Sequence, residues 1–263
     1  MTWERTIGRV AFINCEPIFH GLDDTWNVLP APPSWLTGHL LRRDCIIAPI
    51  PAADYAKNSN ELVLIPDLAI SSKGEVGSVL LFGKMSVNKM KTIAMPSDSA
   101  TSVTLLRHLV KIHNLSPKFI EMGPDLDGML EKCDGCLLIG DRALEGASTY
   151  PDLVQMDLGA EWLKVSGHPM VFGVFAARAD SNLEMVKSAH KALVERLSSF
   201  ENDEDVRTEV IRVSSEKLSQ SVKRLERYFG EVINRIDPDD MRGLKLFLRD
   251  ACGMEDEPRM AWN

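Results

Sequence analysis

Ile7-Gly8-Arg9-Val10-Ala11-Phe12-Ile13-Asn14, followed by Cys15-Glu16-Pro17, is the stretch on which the fold turns. Its β-rich alternation predicts a first strand over Ile7–Asn14, broken by Cys15-Glu16-Pro17. Pro32-Pro33-Ser34 then offers a cap for a helix from Trp35 to Arg43. Cys45–Ile50 follows as a short apolar strand, stopped by Pro49 and Pro51. A strand, a crossover and a second strand in this order predict parallel pairing.

Working outward, Glu61–Ile70 and Val76–Phe82 read as strands joined by Ser71-Ser72-Lys73-Gly74. Lys91–Met95 is another strand, and Pro96-Ser97-Asp98-Ser99 leads into a helix with Val103, Leu106 and Val110 on one face. Strands at Lys118–Met122 and Cys136–Ile139 flank a short helix, Leu126–Lys132. A helix near Ala160–Val165 and the apolar strand Met170–Arg178 follow. From about Asn182 the chain is helical, with stripes at Val186/Ala189/Leu193/Leu197, Leu218/Val222/Leu225/Phe229 and Met241/Leu244/Leu248/Ala251, and an acidic joint at Glu201–Asp205. Alternating β and α followed by helices predicts an α/β fold with doubly wound sheets and a helical C-terminal tail. Val76–Phe82 and Met170–Arg178 are the expected crossovers between two lobes. Lobe 1 would comprise residues 1–83 and 173–263, and lobe 2 residues 84–172. A cleft between such lobes is a usual small-molecule site.

The bulk properties narrow the function. Of 263 residues, 44% are hydrophobic and 26% charged, an ordinary globular composition. A net charge of −8 argues against a nucleic-acid surface and leaves an anionic ligand to be attracted locally. Five cysteines do not read as a disulfide framework. With no apolar leader after Met1-Thr2-Trp3-Glu4-Arg5 and no spanning run, a cytoplasmic protein without a membrane partner is expected.

Several segments could carry chemistry, and each has a plainer reading. Asn14 falls at the crevice edge of the sheet, where its amide could meet a carboxylate or hydroxyl; it could equally form a turn. Ser99, Thr101 and Ser102 cluster at a helix start, as an anion cradle or a cap with spare hydroxyls. Ser71, Ser72 and Gly74 make a second hydroxyl-rich turn or a polar connection. Gly140 and Asp141 follow a strand, and Asp141 could act as acid or base or cap the next helix. His168 precedes Pro169 and an apolar strand, within reach of the cleft or on the surface. Cys133-Asp134-Gly135-Cys136 lacks the partners of a metal site, and His108 and His113 lie on different faces. No dinucleotide or phosphate-loop fingerprint is present. Neither a metal nor a cofactor is expected.

Taken in order, these segments resemble the chorismate dehydratase family of menaquinone biosynthesis. The resemblance rests on Ile7–Ile18, on Ile65-Pro66-Asp67-Leu68-Ala69-Ile70-Ser71-Ser72-Lys73-Gly74, on Ser78-Val79-Leu80-Leu81-Phe82 and on Asp98-Ser99-Ala100-Thr101-Ser102. Leu138-Ile139-Gly140-Asp141, the run from Asp157-Leu158-Gly159-Ala160-Glu161-Trp162 to Gly167-His168-Pro169-Met170-Val171-Phe172, Tyr228-Phe229 and Gly243-Leu244-Lys245-Leu246-Phe247 extend it over nearly the whole chain. The chain departs from the pattern at Ala48–Tyr55, where Ile50 stands in place of a hydroxyl residue, and at Gly77, where a basic residue is common.

The resemblance implies a two-lobed, periplasmic-binding-protein-like fold of type II. It also implies a hydro-lyase that converts chorismate to 3-[(1-carboxyvinyl)oxy]benzoate and water in the futalosine route. Asn14 would act in catalysis. Ser71, Ser72, Gly74, Ser99, Thr101, Ser102, Gly140, Asp141 and His168 would bind the substrate. Two alternatives stay open: an enzyme of the same fold acting on a futalosine-derived intermediate, like dihydroxynaphthoate synthase, and a non-catalytic solute-binding protein. A homodimer also stays open.

Overall fold

Strand β1 (Thr6–Val10) ends before Asn14. In the computed structural model, which describes residues 2–22 and 24–262, Ile13–Cys15 form a 3-10 turn that runs into the short helix α1 (Glu16–Phe19). Pro17, with its fixed φ, suits the first turn of that helix. The Ile13 N–H donates to Asp141 Oδ1 at 3.0 Å, so it has no need of a strand neighbour. β1 pairs in parallel with β2 (Asn27–Ala31), and Ile7 bridges Ile47 in the same sense. Helix α2 (Pro33–Leu41) covers this start, with Pro33 rather than Ser34 setting its first turn.

The chain continues through β3 (Ala48–Pro51), α3 (Ala52–Lys57), β4 (Leu62–Ser72), β5 (Val79–Gly83) and β6 (Thr92–Pro96). Next come α4 (Ala100–Ile112), β7 (Lys118–Met122), α5 (Leu126–Lys132), β8 (Gly135–Ile139) and α6 (Gly140–Thr149). β9 (Val154–Asp157), α7 (Leu158–Ser166) and β10 (Met170–Arg178) precede the tail of α8 (Leu183–Asn202), α9 (Glu204–Leu218), α10 (Val222–Glu231), β11 (Ile233–Arg235) and α11 (Pro238–Asp250).

Two larger sheets result. One has the order β11-β4-β10-β3, with every neighbour antiparallel. The other has the order β7-β6-β8-β5-β9, parallel from β7 to β8 and antiparallel around β5. β10 lies inside its sheet and is buried from Met170 to Ala177, as its unbroken apolar run requires. The chain passes from the first sheet to the second through residues 73–78, and returns after β9 by way of α7.

The tail helices start where their capping residues sit. Asn182, Asp203 and Ser221 accept from the first N–H groups of α8, α9 and α10, and Asp237 with Asp240 forms a capping box on α11. Asp203, in the acidic joint, is what separates α8 from α9. The stripe expected over Leu218–Phe229 is interrupted: Ser219 turns left-handed at φ 52°, Ser221 restarts the helix, and Val222 is exposed. Val186, Ala189, Leu193 and Leu197 of α8, Leu225 and Phe229 of α10, and Leu244 and Leu248 of α11 enter the main core. Among the described residues no helix is long and apolar enough to cross a membrane.

Candidate active site

A cavity opens between the two larger sheets. Its empty space, open mouth included, is about 560 Å³. Pro49, Ile50 and Pro51 of β3, Ile70 of β4 and Phe172 of β10 form one apolar wall, and Val79 of β5 and Ile139 of β8 face it. Among the described residues no lining side chain carries a charge; the polar ones belong to Asn14, Ser78, Ser99, Thr101 and Ser102.

Asn14 is held from its backbone. The N–H of its neighbour Ile13 donates to Asp141, and its own carbonyl accepts from Asn234 Nδ2 at 3.2 Å. The side chain is left to the cavity: Asn14 is only 8% exposed, yet its Oδ1 has no hydrogen-bond partner. A buried polar atom without a partner is costly, and a ligand group that satisfies it recovers that cost.

Opposite stands the start of α4. Ser99 has the extended backbone of a capping residue, but its hydroxyl caps nothing. The first N–H groups of the helix are therefore unclaimed by it, at the positive end of the helix dipole. Thr101 Oγ1 accepts from Ala53 N at 3.1 Å, which ties this helix start to α3 and keeps the threonine proton free to donate. Ser99, Thr101 and Ser102 are all buried. An ion pair between Asp98 and Arg142 braces the loop in front of them, and the Arg142 guanidinium lies over the Phe12 ring at the cavity wall.

Ser78 adds a further hydroxyl. It accepts from the phenol of Tyr228 at 3.1 Å, and burial pushes that phenol well above its ordinary range, so it stays a donor. The Ser78 hydroxyl in turn donates to the Val76 carbonyl at 3.5 Å.

Of the residues expected at the site, the fold gathers Asn14, Ser99, Thr101, Ser102 and Gly140 around one cavity. Gly140 has φ +60°, and a Cβ there would meet the Phe12 ring at 2.5 Å. The others lie outside the lining. β4 runs on through Ser72, so Ser71 Oγ bonds the carbonyls of Ile233 and Arg235, both at 3.5 Å, and Ser72 Oγ bonds Gly74 O at 3.0 Å. Gly74 supplies a turn at φ +137°. Asp141 braces Ile13, and burial raises its carboxyl above the usual range. His168 borders a separate surface hollow, with Nδ1 3.3 Å from Asp239.

The pattern reading missed Ser78, Tyr228 and Asn234 as a group, because none sits in a turn or cluster that announces chemistry. It also missed Asp157, which accepts from Val76, Gly77, Gly159 and Ala160 N–H groups and so pins the crossover to the start of α7. At Gly77 (φ +67°) a side chain would collide with the Glu231 carboxylate and the Arg224 guanidinium, which pair with each other at 3.0 Å on α10. Cys133 and Cys136 are buried, and burial pushes the Cys136 thiol up to about 12. Among the described residues no cluster of His, Cys, Asp or Glu is suited to a metal ion.

Known proteins place this architecture. The solved structure of a protein from Archaeoglobus fulgidus superposes with a TM-score of 0.75 at 19% identity, covering 94% of this chain and 97% of that one. A Candida albicans protein described as having the generic periplasmic binding protein fold gives 0.67 at 14% identity, over 95% and 90% of the two chains. The alkanesulfonate-binding protein of Xanthomonas axonopodis pv. citri gives 0.66 at 12%, over 97% and 96%. These likenesses establish the periplasmic-binding-protein-like fold. In sequence, the chorismate dehydratase of Thermus thermophilus is 29% identical over 269 residues, 96% of each chain. A family model described as menaquinone biosynthesis matches residues 5–252. The chain therefore belongs to the menaquinone biosynthesis family.

Proposed function

We propose that this protein is an enzyme of menaquinone biosynthesis, a hydro-lyase that dehydrates chorismate to 3-[(1-carboxyvinyl)oxy]benzoate. The observation that carries this reading is the character of the cavity. Its apolar walls suit a carbocyclic ring, while the uncapped start of α4 and the unsatisfied Asn14 amide suit carboxylate and hydroxyl groups. The Thermus thermophilus relative supports the choice of chorismate.

The reaction removes the ring hydroxyl and the hydrogen on the ether-bearing carbon. Two electrons from the broken C–H bond enter the ring as hydroxide leaves, the ring becomes aromatic, and the proton and hydroxide together make water. The protein has to hold the two carboxylates and orient the departing groups. The N-terminal N–H groups of α4 with Ser99, Thr101 and Ser102 would hold one carboxylate. Asn14 would polarise the departing hydroxyl or orient the other carboxylate. Since no lining side chain is a strong base, the substrate's own enolpyruvyl carboxylate takes the proton.

A panel of substrates tests the assignment. Offered chorismate and the cyclic intermediates derived from futalosine side by side, the protein should consume chorismate alone. Turnover of a futalosine-derived compound instead would move it to a different step, and tight binding of chorismate with no turnover would make it a solute-binding protein. For the proton's route, a chorismate analogue without the enolpyruvyl carboxylate should bind and fail to react; full-rate turnover of it would refute the substrate-borne base.

A further inference from the structure

The most distant contact in the cavity wall is the one that holds Asn14. Asn234 belongs to β11, a strand of only Ile233–Arg235 that returns from the C-terminal helices to the edge of β4. The pairing is irregular between Ile233 and Arg235, which face Ser71 and Leu68 of β4. Ser71 Oγ lies 3.5 Å from the carbonyls of both Ile233 and Arg235, one on each side of Asn234. The buried hydroxyl thus fixes an irregularity that a strand edge would otherwise leave loose. Asn234 itself is 6% exposed, and its amide donates to Asn14 O at 3.2 Å, across 220 positions of sequence.

This bond goes to the backbone of Asn14, not to its side chain. The Asn14 side chain keeps its Oδ1 unpaired in the cavity. Asn14 lies on a 3-10 turn, an element with poor internal hydrogen-bond geometry. External bonds must therefore fix its φ and ψ, and with them the direction of the amide. We infer that Asn234 is a positioning residue for the reaction, acting through Asn14, and that Ser71 serves the site by holding the β11 irregularity. The inference rests on the role of Asn14 proposed above.

A double-mutant cycle separates this role from a purely structural one. Asn234→Ala should lower kcat by about 10- to 100-fold with KM changed by less than about 3-fold, since a small misplacement of a reacting group carries a cost of that order. Asn234→Asp keeps the shape and turns a carboxylate toward a carbonyl, so it should lose at least as much. In an Asn14→Ala background the same Asn234→Ala change should remove less than about 2-fold more, because the residue it positions is gone. Asn234→Ser serves in the same comparison if the alanine variant does not fold. Hydrogen exchange of the 13–15 amides should accelerate in the Asn234 variants, and this readout needs no substrate. An unchanged kcat in Asn234→Asp, an equal loss in both backgrounds, or unaltered exchange at 13–15 would overturn the inference. A parent protein that leaves chorismate untouched while exchange at 13–15 does respond would instead overturn the functional reading and leave the clamp standing.

Discussion

A buried amide oxygen with nothing to accept from is the residue-scale feature that asks for a ligand. Asn14→Ala removes that amide without adding charge, and Asn14→Asp replaces a donor by an anion facing an anionic substrate. Both should lower turnover, by about 10²–10³ for loss of one preorganised donor, with Asp raising KM further. Because the backbone of Asn14, not its side chain, makes the structural bonds, both variants should melt cooperatively near the parent temperature. A large drop in Tm with turnover per folded molecule preserved would make Asn14 a turn residue only. At the α4 start the three hydroxyls should separate. Ser99→Ala should not show the usual cap loss of about 1 kcal/mol, since Ser99 caps nothing. Thr101→Ala strands the buried Ala53 N–H and should cost about 1–3 kcal/mol, which Thr101→Ser should restore. Thermal melts and KM for the three variants decide it: equal destabilisation by Ser99→Ala and Thr101→Ala would return the turn to plain capping. Ser99, Thr101 and Ser102 were legible as a cluster at a helix start, whereas Asn14 reaches the cavity from a 3-10 turn and not from the strand end its sequence pattern suggested. Ser71 and Ser72 were legible as hydroxyls but not as pairing groups, because nothing local signals that β4 continues to Ser72 beside β10 and β11.

At the scale of elements, the 3-10 turn after β1 and the start of α6 meet through Asp141. Its carboxyl accepts from Ile13 N and is raised above its ordinary range, chiefly by burial. A group raised in the folded state binds its proton more tightly there than in the unfolded chain. Its contribution is therefore fully present at low pH and lost as pH rises through the folded value. Asp141→Asn keeps an acceptor and removes the titration. Its Tm relative to the parent should be highest at pH 7 and above, and the difference should shrink as pH falls into the carboxylate range. Asp141→Ala removes the acceptor and should destabilise by about 1–3 kcal/mol at every pH. A difference for Asp141→Asn that is flat with pH would show that the carboxylate is not desolvated in the fold. The elements themselves were readable wherever periodicity was long: β7, α5 and β10 fall where their patterns put them. The extension of β1 to Asn14 was not, because alternation continues through Ala11–Asn14 while the hydrogen bonds do not. A long-range acceptor, Asp141, captured the Ile13 N–H instead.

For the whole molecule, two sheets of different topology enclose a cavity with no charge on its lining, on a chain of net charge −8. On the proposed function, substrate anions would be held by dipoles and hydroxyls, which are most effective where water is excluded. Activity should fall little with added salt, since a chain of net charge −8 does not steer an anion by long-range attraction. With no suitable ligand cluster among the described residues, it should also survive EDTA and exhaustive dialysis. A loss reversed by zinc or magnesium would contradict that. The alternation of β and α made this architecture legible. The antiparallel placement of β10 between β3 and β4 was not, because apolar runs give burial but not direction. The central claim is that chorismate alone is sufficient substrate. Purified, dialysed protein mixed with chorismate and followed by proton NMR should show the ring signals of chorismate replaced by the aromatic signals of 3-[(1-carboxyvinyl)oxy]benzoate, with the enolpyruvyl methylene retained. Chorismate that persists unchanged, or that loses its enolpyruvyl group instead of its ring hydroxyl, would contradict the account.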